Sequence, residues 1–234
     1  MQTLDQYPQY ECVGVLKETD KKQARAFRNT ELDRMIVERI LHQHSSEVYQ
    51  KLSGILHPNL LEIYEAIQDG EDAYILEEHF DGIALSEILK DRTMKKKEAR
   101  RILISVCNAL EALHANGIIH RDVKSQNIMI DSAGNVKLID YDIARLAKEF
   151  QESDTTVLGT VGFAAPEQFG IAQSNERSDI YAVGVLMNLM LTGDHPSVRL
   201  CSGRAGKIVR KCTMTENTDR YRNVLELKKT LLLW

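Results

Sequence analysis

The sequence lacks several features that mark particular classes of protein. It contains no apolar run of membrane-spanning length, which is about 20 residues for a helix, and no N-terminal signal pattern, so we expect no membrane segment. None of its four cysteines stands in a C-x-x-C pair, which favours reduced thiols and a cytoplasmic location. No internal repeat is evident.

The sequence also lacks an excess of positive charge. Its 30 Lys and Arg residues are outnumbered by 34 Asp and Glu residues, which gives a formal net charge of -4. Because nucleic-acid binding favours a basic surface, we expect no nucleic-acid partner. One local basic run, from Arg92 to Lys97, precedes an amphipathic stretch. It is typical of a solvated helix start, with a docking patch as the alternative.

The apolar residues that are present, 43% of the chain, suffice for a hydrophobic core. Partly alternating stretches at residues 10–15, 34–37, 61–67 and 73–78 predict β-strands. A helix is predicted over 45–56, with Pro58 breaking it. Helical spacing follows over 180–191 and at Ile102, Leu103, Val106, Ala109, Leu110 and Leu113. The patterns predict a strand-rich first part and a helical second part.

The most informative segment reads His120-Arg121-Asp122-Val123-Lys124-Ser125-Gln126-Asn127 and is followed by Leu138-Ile139-Asp140. Phosphoryl transfer needs a carboxylate near the attacking hydroxyl, cations on the phosphates, and oxygen ligands that hold those cations. The segment supplies these residue types in a fixed order. Its several fixed positions make it more specific than a lone glycine motif.

Three further motifs follow in order along the chain. They are Gly159-Thr160-Val161-Gly162-Phe163-Ala164-Ala165-Pro166-Glu167, then Ser178-Asp179-Ile180-Tyr181-Ala182-Val183-Gly184-Val185, and finally Asp219-Arg220-Tyr221. Together with the first segment they resemble the eukaryotic-like Ser/Thr protein kinase family, across more than half of the chain. The resemblance implies that Glu167 pairs with Arg220.

The resemblance implies a single kinase-like domain over residues 1–234 with a bilobal α+β fold. An antiparallel, β-rich N-lobe is expected over about 8–78, a hinge over about 79–83, and a mainly helical C-lobe over about 84–234. Only residues 197–206 separate the long buried helix from the next apolar segment, which begins at Ile208. A helix that most family members have there is therefore expected to be reduced or missing.

The resemblance also implies a role for each residue of the first segment. Asp122 would accept or orient the proton of the substrate hydroxyl, and Lys124 would lie beside the transferring phosphoryl group. Asn127 and Asp140 would bind Mg²⁺, which prefers oxygen ligands. ATP and Mg²⁺ are the expected cofactors, and Ser or Thr is the expected acceptor.

Other family positions fall near the expected hinge. Glu78 and Phe80 would offer backbone groups to adenine, and Met129 is also placed among the cofactor-binding residues. Glu77 falls at the gatekeeper position, where a buried acid needs a partner for its charge or partial exposure. A one-residue slip of the alignment would place Leu76 there instead.

Three departures from the family pattern concern nucleotide binding. The phosphate-binding loop near residues 16–22 should be glycine-rich, but Gly14 is the only glycine in the neighbourhood. Arg39 stands where the family has an ATP-positioning lysine, and Glu47 is its expected partner. Lys21 or Lys22 could supply the missing ammonium group, although a solvated turn is favoured for both. Asp142 replaces the glycine of D-F-G.

The activation segment offers hydroxyls for regulation. Ser153, Thr155 and Thr156 are candidate phosphorylation sites, since a phosphate there could pair with Arg121, or they belong to a plain polar loop. Thr160 corresponds to a family residue that contacts the catalytic Asp and Lys.

We predict an ATP-dependent Ser/Thr protein kinase with weakened nucleotide binding and a protein substrate. The alternative is a pseudokinase, a regulatory module that binds a protein partner. A small-molecule kinase is a third reading, which the A-P-E segment with Glu167 and Arg220 disfavours.

Overall fold

The computed structural model describes residues 3–147, 162–169 and 174–234. The chain divides into two compact units, Met1–His57 with Leu61–Asp81, and Pro58–Leu60 with Gly82–Trp234. Ser153, Thr155, Thr156 and Thr160 lie outside the described residues. In the part of the chain that the structure describes, no helix combines the length and apolarity needed to cross a bilayer.

The first unit is built on a five-stranded antiparallel sheet with strand order β1-β2-β3-β5-β4. One short helix, α1, lies between β3 and β4 in the chain. The elements are β1 (Tyr10–Thr19), β2 (Lys22–Asn29), β3 (Arg34–Leu41), α1 (Glu47–Leu52), β4 (Ile63–Asp69) and β5 (Asp72–Glu78).

Helix α1 is shorter than the predicted span of 45–56. It ends at Leu52, and the next residues form turns in which the Gly54 N–H bonds to the Lys51 carbonyl and the Ile55 N–H bonds to the Leu52 carbonyl. Glycine has a low helix propensity, which explains an end before Pro58. Strand β4 likewise begins two residues later than predicted.

The second unit is mainly helical and carries two small antiparallel sheets, of order β6-β8-β9 and β10-β7. Together the units confirm the predicted α+β class. The elements are β6 (Ile83–Ala84), α2 (Leu85–Asp91), α3 (Lys96–Ala115), β7 (Ile118–Ile119), β8 (Ile128–Ile130), β9 (Val136–Leu138), β10 (Arg145–Leu146), α4 (Glu176–Thr192), α5 (Gly203–Cys212) and α6 (Val224–Leu232).

Helix α4 is the most buried helix of this unit. It begins with a capping box, in which the Asn175 side chain accepts a backbone N–H and Ser178 reciprocates. It packs against α5 so closely that a Cβ added at Gly184 would lie 2.3 Å from the Cβ of Cys212. Only glycine permits this approach, which explains one residue of the motif at 178–185.

No helix lies between Thr192 and Gly203, all of which the structure describes, so the expected reduction of this region is confirmed. The buried Asn188 side chain holds the segment between α4 and α5 through hydrogen bonds to its backbone. Its amide nitrogen donates to the carbonyls of Asp194 and Arg199, at 2.8 and 2.7 Å. Its amide oxygen accepts the Cys201 N–H at 2.8 Å.

The Asn188→Leu variant is expected to lose about 3 kcal/mol of unfolding free energy, because two backbone carbonyls and one backbone N–H, all part-buried, lose a hydrogen bond worth about 1 kcal/mol each. Asn116→Leu is the matched control, since the Asn116 side chain is exposed and donates a single bond to Ala112. Urea unfolding of both variants measures the difference. Equal losses would contradict the role of Asn188.

Candidate active site

The segment of residues 120–127, here called the Asp122 loop, is anchored at its start by hydrogen bonds to a buried carboxylate. The Asp179 side chain in α4 accepts the backbone N–H of His120 at 3.0 Å and that of Arg121 at 2.8 Å. His114, in the last turn of α3, also hydrogen-bonds to Asp179 at 2.8 Å. Helices α3 and α4 therefore fix the start of the loop together.

The charge of Asp179 is retained despite complete burial. Burial by itself raises the pKa of a carboxyl group, but the hydrogen bond from His114 and the Arg121 N–H lower it more. The net result is a pKa of Asp179 below its usual value. The anchor is therefore ionised throughout the neutral range.

Arg121 adopts a strained backbone conformation, with φ of 67°. Both of its backbone groups are held, since its N–H donates to Asp179 and its carbonyl accepts the Gln168 side chain at 2.9 Å. Gln168 also accepts the Ala165 N–H at 3.1 Å. The A-P-E segment is thereby tied to the Asp122 loop, a connection that sequence reasoning missed.

Two side chains of the loop converge on the Asp122 carboxylate. The Lys124 ammonium donates to Oδ2 at 2.7 Å, and the Asn127 amide donates to the same oxygen at 2.8 Å. The Asn127 amide nitrogen also donates to the Asp122 carbonyl at 3.0 Å. The structure thus brings three of the predicted residues together.

The remaining oxygen of the Asn127 amide suits a hard cation. Since its Nδ2 is committed to Asp122, its Oδ1 is the atom left for a metal. The Ile139 N–H donates to the Asn127 carbonyl at 2.9 Å, which brings the residue before Asp140 to the loop. No cluster of three or more His, Cys, Asp or Glu side chains occurs within the described ranges. A Mg²⁺ ion bound through Asn127 and Asp140 would need water and phosphate oxygens to complete its shell.

His120 is close enough to three carboxylates to feel their charge. Its ring is fully buried, and desolvation lowers its pKa, while the nearby carboxylates of Asp179, Asp122 and Asp140 act in the opposite direction. The imidazole is therefore neutral. Tyr141 packs edge-on against it, with ring centroids 5.6 Å apart, and donates its hydroxyl to the Leu138 carbonyl at 2.9 Å. Tyr141 thus fills the aromatic position after Asp140.

The predicted pair of Glu167 and Arg220 is confirmed. The guanidinium binds both carboxylate oxygens, at 2.7 and 2.9 Å, and the Ser178 hydroxyl donates to the carboxylate at 2.7 Å. Burial would raise the pKa of Glu167, but Arg220 and Ser178 reverse this and lower it. The pair joins the A-P-E segment to α4 and to the residues before α6.

In the first unit, Arg39 forms an ion pair with Glu77, the residue at the expected gatekeeper position. Its Nη1 lies 3.3 and 3.5 Å from the carboxylate oxygens of Glu77, and both side chains are buried. Arg39 pairs with Ile75 and Val37 pairs with Glu77 across β3 and β5, so Arg39 and Glu77 share a sheet face. The buried Glu77 was expected to need a partner for its charge, and Arg39 is that partner.

Glu47 does not occupy the place expected for it beside Arg39. It begins α1 and is exposed, because the buried face of this short helix is formed by Val48, Tyr49 and Leu52. The Tyr49 ring instead lies under the Arg39 guanidinium at 5.6 Å from its centroid.

The tip of the β1-β2 hairpin consists of Asp20 and Lys21, and the ladder runs up to the Thr19 and Lys22 pair. The hairpin therefore closes without any glycine. Lys22 pairs with Leu41 in β3, two positions from Arg39, so their side chains share a sheet face. Lys21 is exposed in the turn. Of the two lysines, Lys22 is the one on the face of Arg39.

The other cofactor-binding predictions fall in both units. Glu78 ends β5, and its N–H donates to the Glu62 carbonyl at 2.9 Å. Phe80 follows in the connecting segment and is half-buried. Met129 lies in β8, opposite Ala84 and Lys137.

A family model described as a protein kinase domain matches residues 10–231. The chain belongs to the protein kinase domain family. The chain is 36% identical over 149 residues to serine/threonine-protein kinase PrkC of Bacillus subtilis, covering 63% of this chain and 23% of that protein.

Two further relatives are similar at comparable levels. One is serine/threonine-protein kinase PknB of Mycobacterium tuberculosis, with 36% identity over 155 residues, 63% of this chain and 25% of that protein. The other is a probable serine/threonine-protein kinase PknB of Corynebacterium glutamicum, with 39% identity over 155 residues, 63% of this chain and 24% of that protein. The chain thus aligns with about a quarter of the length of these relatives.

In this kinase domain, Arg39→Met is expected to destabilise the fold by about 3–5 kcal/mol, because Glu77 would be buried without a counter-charge. The double variant Arg39→Met/Glu77→Leu should recover most of that loss. Urea unfolding of the single and double variants measures the coupling, with Arg28→Met in the exposed Arg28–Asp33 pair as a control that changes little. Additive losses in the double variant would contradict the pairing.

The lowered pKa of Glu167 predicts a pH dependence of stability. A carboxyl whose folded pKa is below its unfolded value of about 4.5 stabilises the fold fully above that value and loses this effect as pH falls through the folded pKa. Chemical unfolding should therefore show that wild type has a higher free energy of unfolding than Glu167→Gln. This difference should be at its full value above about pH 5 and should decrease below it. A difference that stays constant down to acid pH would contradict the assignment to Glu167.

Proposed function

We propose that this protein is a Ser/Thr protein kinase that transfers the γ-phosphoryl group of ATP to a protein hydroxyl. The observation that carries the proposal is the convergence of Lys124 and Asn127 on the Asp122 carboxylate, at 2.7 and 2.8 Å. This arrangement holds one carboxylate, one ammonium and one amide oxygen within reach of a single reacting group. Phosphoryl transfer depends on such positioning and electrostatic stabilisation.

Each residue then has a defined task. Asp122 accepts or orients the proton of the acceptor hydroxyl, with the carboxylate held in place by its two donors. Lys124 supplies positive charge beside the phosphoryl group. Asn127 and Asp140 would hold Mg²⁺ through oxygen ligands, and the metal would supply positive charge for the phosphate oxygens.

Ser and Thr are the proposed acceptors. The lysine two residues after Asp122 is typical of Ser/Thr kinases, and the relatives at 36% identity are named as Ser/Thr kinases. A protein substrate follows from membership of the protein kinase domain family. The four cysteines carry free thiols, which supports a reducing compartment such as the cytoplasm.

Nucleotide binding is proposed to be weaker than in a kinase with the full family pattern. The hairpin tip of Asp20 and Lys21 lacks the glycines that allow close backbone approach to phosphates. Arg39 shares its charge with the buried Glu77. Each loss costs on the order of a few kcal/mol in the transition state, which slows turnover without abolishing it. Lys22, on the same face, is the proposed source of a further positive charge.

The second candidate function is a pseudokinase that regulates a protein partner. The buried ion pair of Arg39 and Glu77 favours it, because a guanidinium fixed to a neighbouring carboxylate is less available to phosphate. The two candidates differ in one measurable property, which is phosphoryl transfer itself.

Asp122→Asn is expected to lower the rate of phosphoryl transfer by at least about 100-fold, which is the lower range for loss of a general base. The measurement is transfer of radiolabelled phosphate from ATP to a mixed Ser/Thr peptide library in the presence of Mg²⁺. Asp91→Asn is the control, since Asp91 is an exposed acid at the end of α2 and should leave the rate unchanged. Transfer by wild type that is unaffected in Asp122→Asn would overturn the assignment, and no transfer by wild type would favour the pseudokinase.

A further inference from the structure

A groove in the second unit lies between the first turns of α3 and the end of α6. It encloses a volume of about 720 Å³. Its cationic lining residues are Lys95, Lys97, Arg100 and Arg101, and its apolar lining includes Ile104 and Leu232. We call this surface the basic groove. It contains part of the basic run that the sequence analysis singled out.

The groove carries uncompensated positive charge. Its one lining carboxylate, Glu98, is bound at both oxygens by Arg92, at 2.7 and 2.8 Å. Within the described ranges, Lys95, Lys97 and Arg100 form no ion pair, and the nearby Arg92 is the residue that binds Glu98. The whole chain has a net charge of -4, so this concentration of cations is a local feature. Its field attracts an acidic partner.

The groove also exposes apolar surface. Leu232 is 56% exposed and the adjacent Leu233 is 72% exposed, although both follow the buried Leu231 at the end of α6. Ile104 is half-buried on the α3 side. A concave apolar floor with a cationic rim fits a protein segment that carries apolar side chains between carboxylates.

The groove and the Asp122 loop lie toward opposite ends of α3. The lining residue nearest the loop along this helix, Ser105, precedes Ala115 by about 15 Å along the axis, at a rise of about 1.5 Å per residue. The Asp122 loop follows the Ala115 end. A partner protein held in the groove therefore leaves Asp122 accessible. Its other segments, including any acceptor hydroxyl, are then held at a high local concentration near the site.

We propose that the basic groove is a docking site for an acidic, amphipathic segment of a partner protein. Carboxylates of the segment pair with Lys97 and Arg100 at the rim, while its apolar side chains pack against Ile104 and Leu232. The concave shape favours a chain segment over the flat surface of a membrane. Binding needs no nucleotide, so it stands apart from phosphoryl transfer.

The test uses the 234-residue chain and a fluorescein-labelled peptide that repeats Glu-Glu-Leu-Leu. Fluorescence anisotropy, without ATP, measures the affinity. Lys97→Glu/Arg100→Glu is expected to weaken binding at least about tenfold, because two attractive contacts become repulsive. The matched control is Arg204→Glu/Lys207→Glu, which makes the same change of charge at exposed positions of α5.

Retained binding in the control with loss in the groove variant supports the proposal. Affinity that falls with rising salt in wild type but little in the groove variant supports it further. Equal binding by both variants, or no binding by wild type, overturns it. Circular dichroism of both variants verifies that each is folded, so a loss of binding reports on the groove.

Two further experiments test whether something other than a protein segment binds in the basic groove. Sedimentation with vesicles of phosphatidylserine and phosphatidylcholine tests a membrane surface, and sedimentation equilibrium tests a second copy of the chain. The docking proposal predicts no difference between wild type and the groove variant in either experiment. Vesicle binding or self-association that disappears in Lys97→Glu/Arg100→Glu would replace the protein segment with that occupant.

Discussion

A single buried carboxylate underlies the arrangement of the candidate active site. Asp179 in α4 holds the backbone of His120 and Arg121, and it is itself held by His114 in α3. An ionised group can stay in the interior only with such partners, since an unpaired buried charge is costly. Two helices and the Asp122 loop are therefore fixed relative to one another before any ligand binds. That preorganisation is what phosphoryl transfer requires of a protein.

Much of this site could be predicted from the sequence because the relevant residues are close along the chain or part of a fixed pattern. Asp122, Lys124 and Asn127 lie within six residues, and a short turn and 3-10 segment bring them together. Glu167 and Arg220 are far apart in sequence, yet the family pattern placed both, and they form the expected pair. The strand-rich first part and the helical second part followed from strand-like and helix-like spacing, and the family resemblance implied the α+β class.

Other features depend on register and packing, which spacing does not reveal. The pairing of Arg39 with Glu77 follows from the alignment of β3 with β5, where both side chains emerge on one face. The tie from Gln168 to the Arg121 carbonyl and the role of Asn188 under residues 194–201 are likewise tertiary hydrogen bonds. Amide side chains give no periodic signal, so nothing local pointed to them. The early end of α1 shows the same limit, because the prediction weighed Pro58 and overlooked Gly54.

The proposed function depends on Asn127 and Asp140 holding Mg²⁺ for the binding of ATP. The most direct measurement is the thermal unfolding midpoint with ATP, with and without Mg²⁺, for wild type and Asp140→Asn, because a ligand that binds only the folded state raises its stability. The account predicts a Mg²⁺-dependent rise in wild type that is lost in Asp140→Asn and kept in Asp91→Asn. No rise at millimolar ATP, or the same rise in Asp140→Asn, would contradict it.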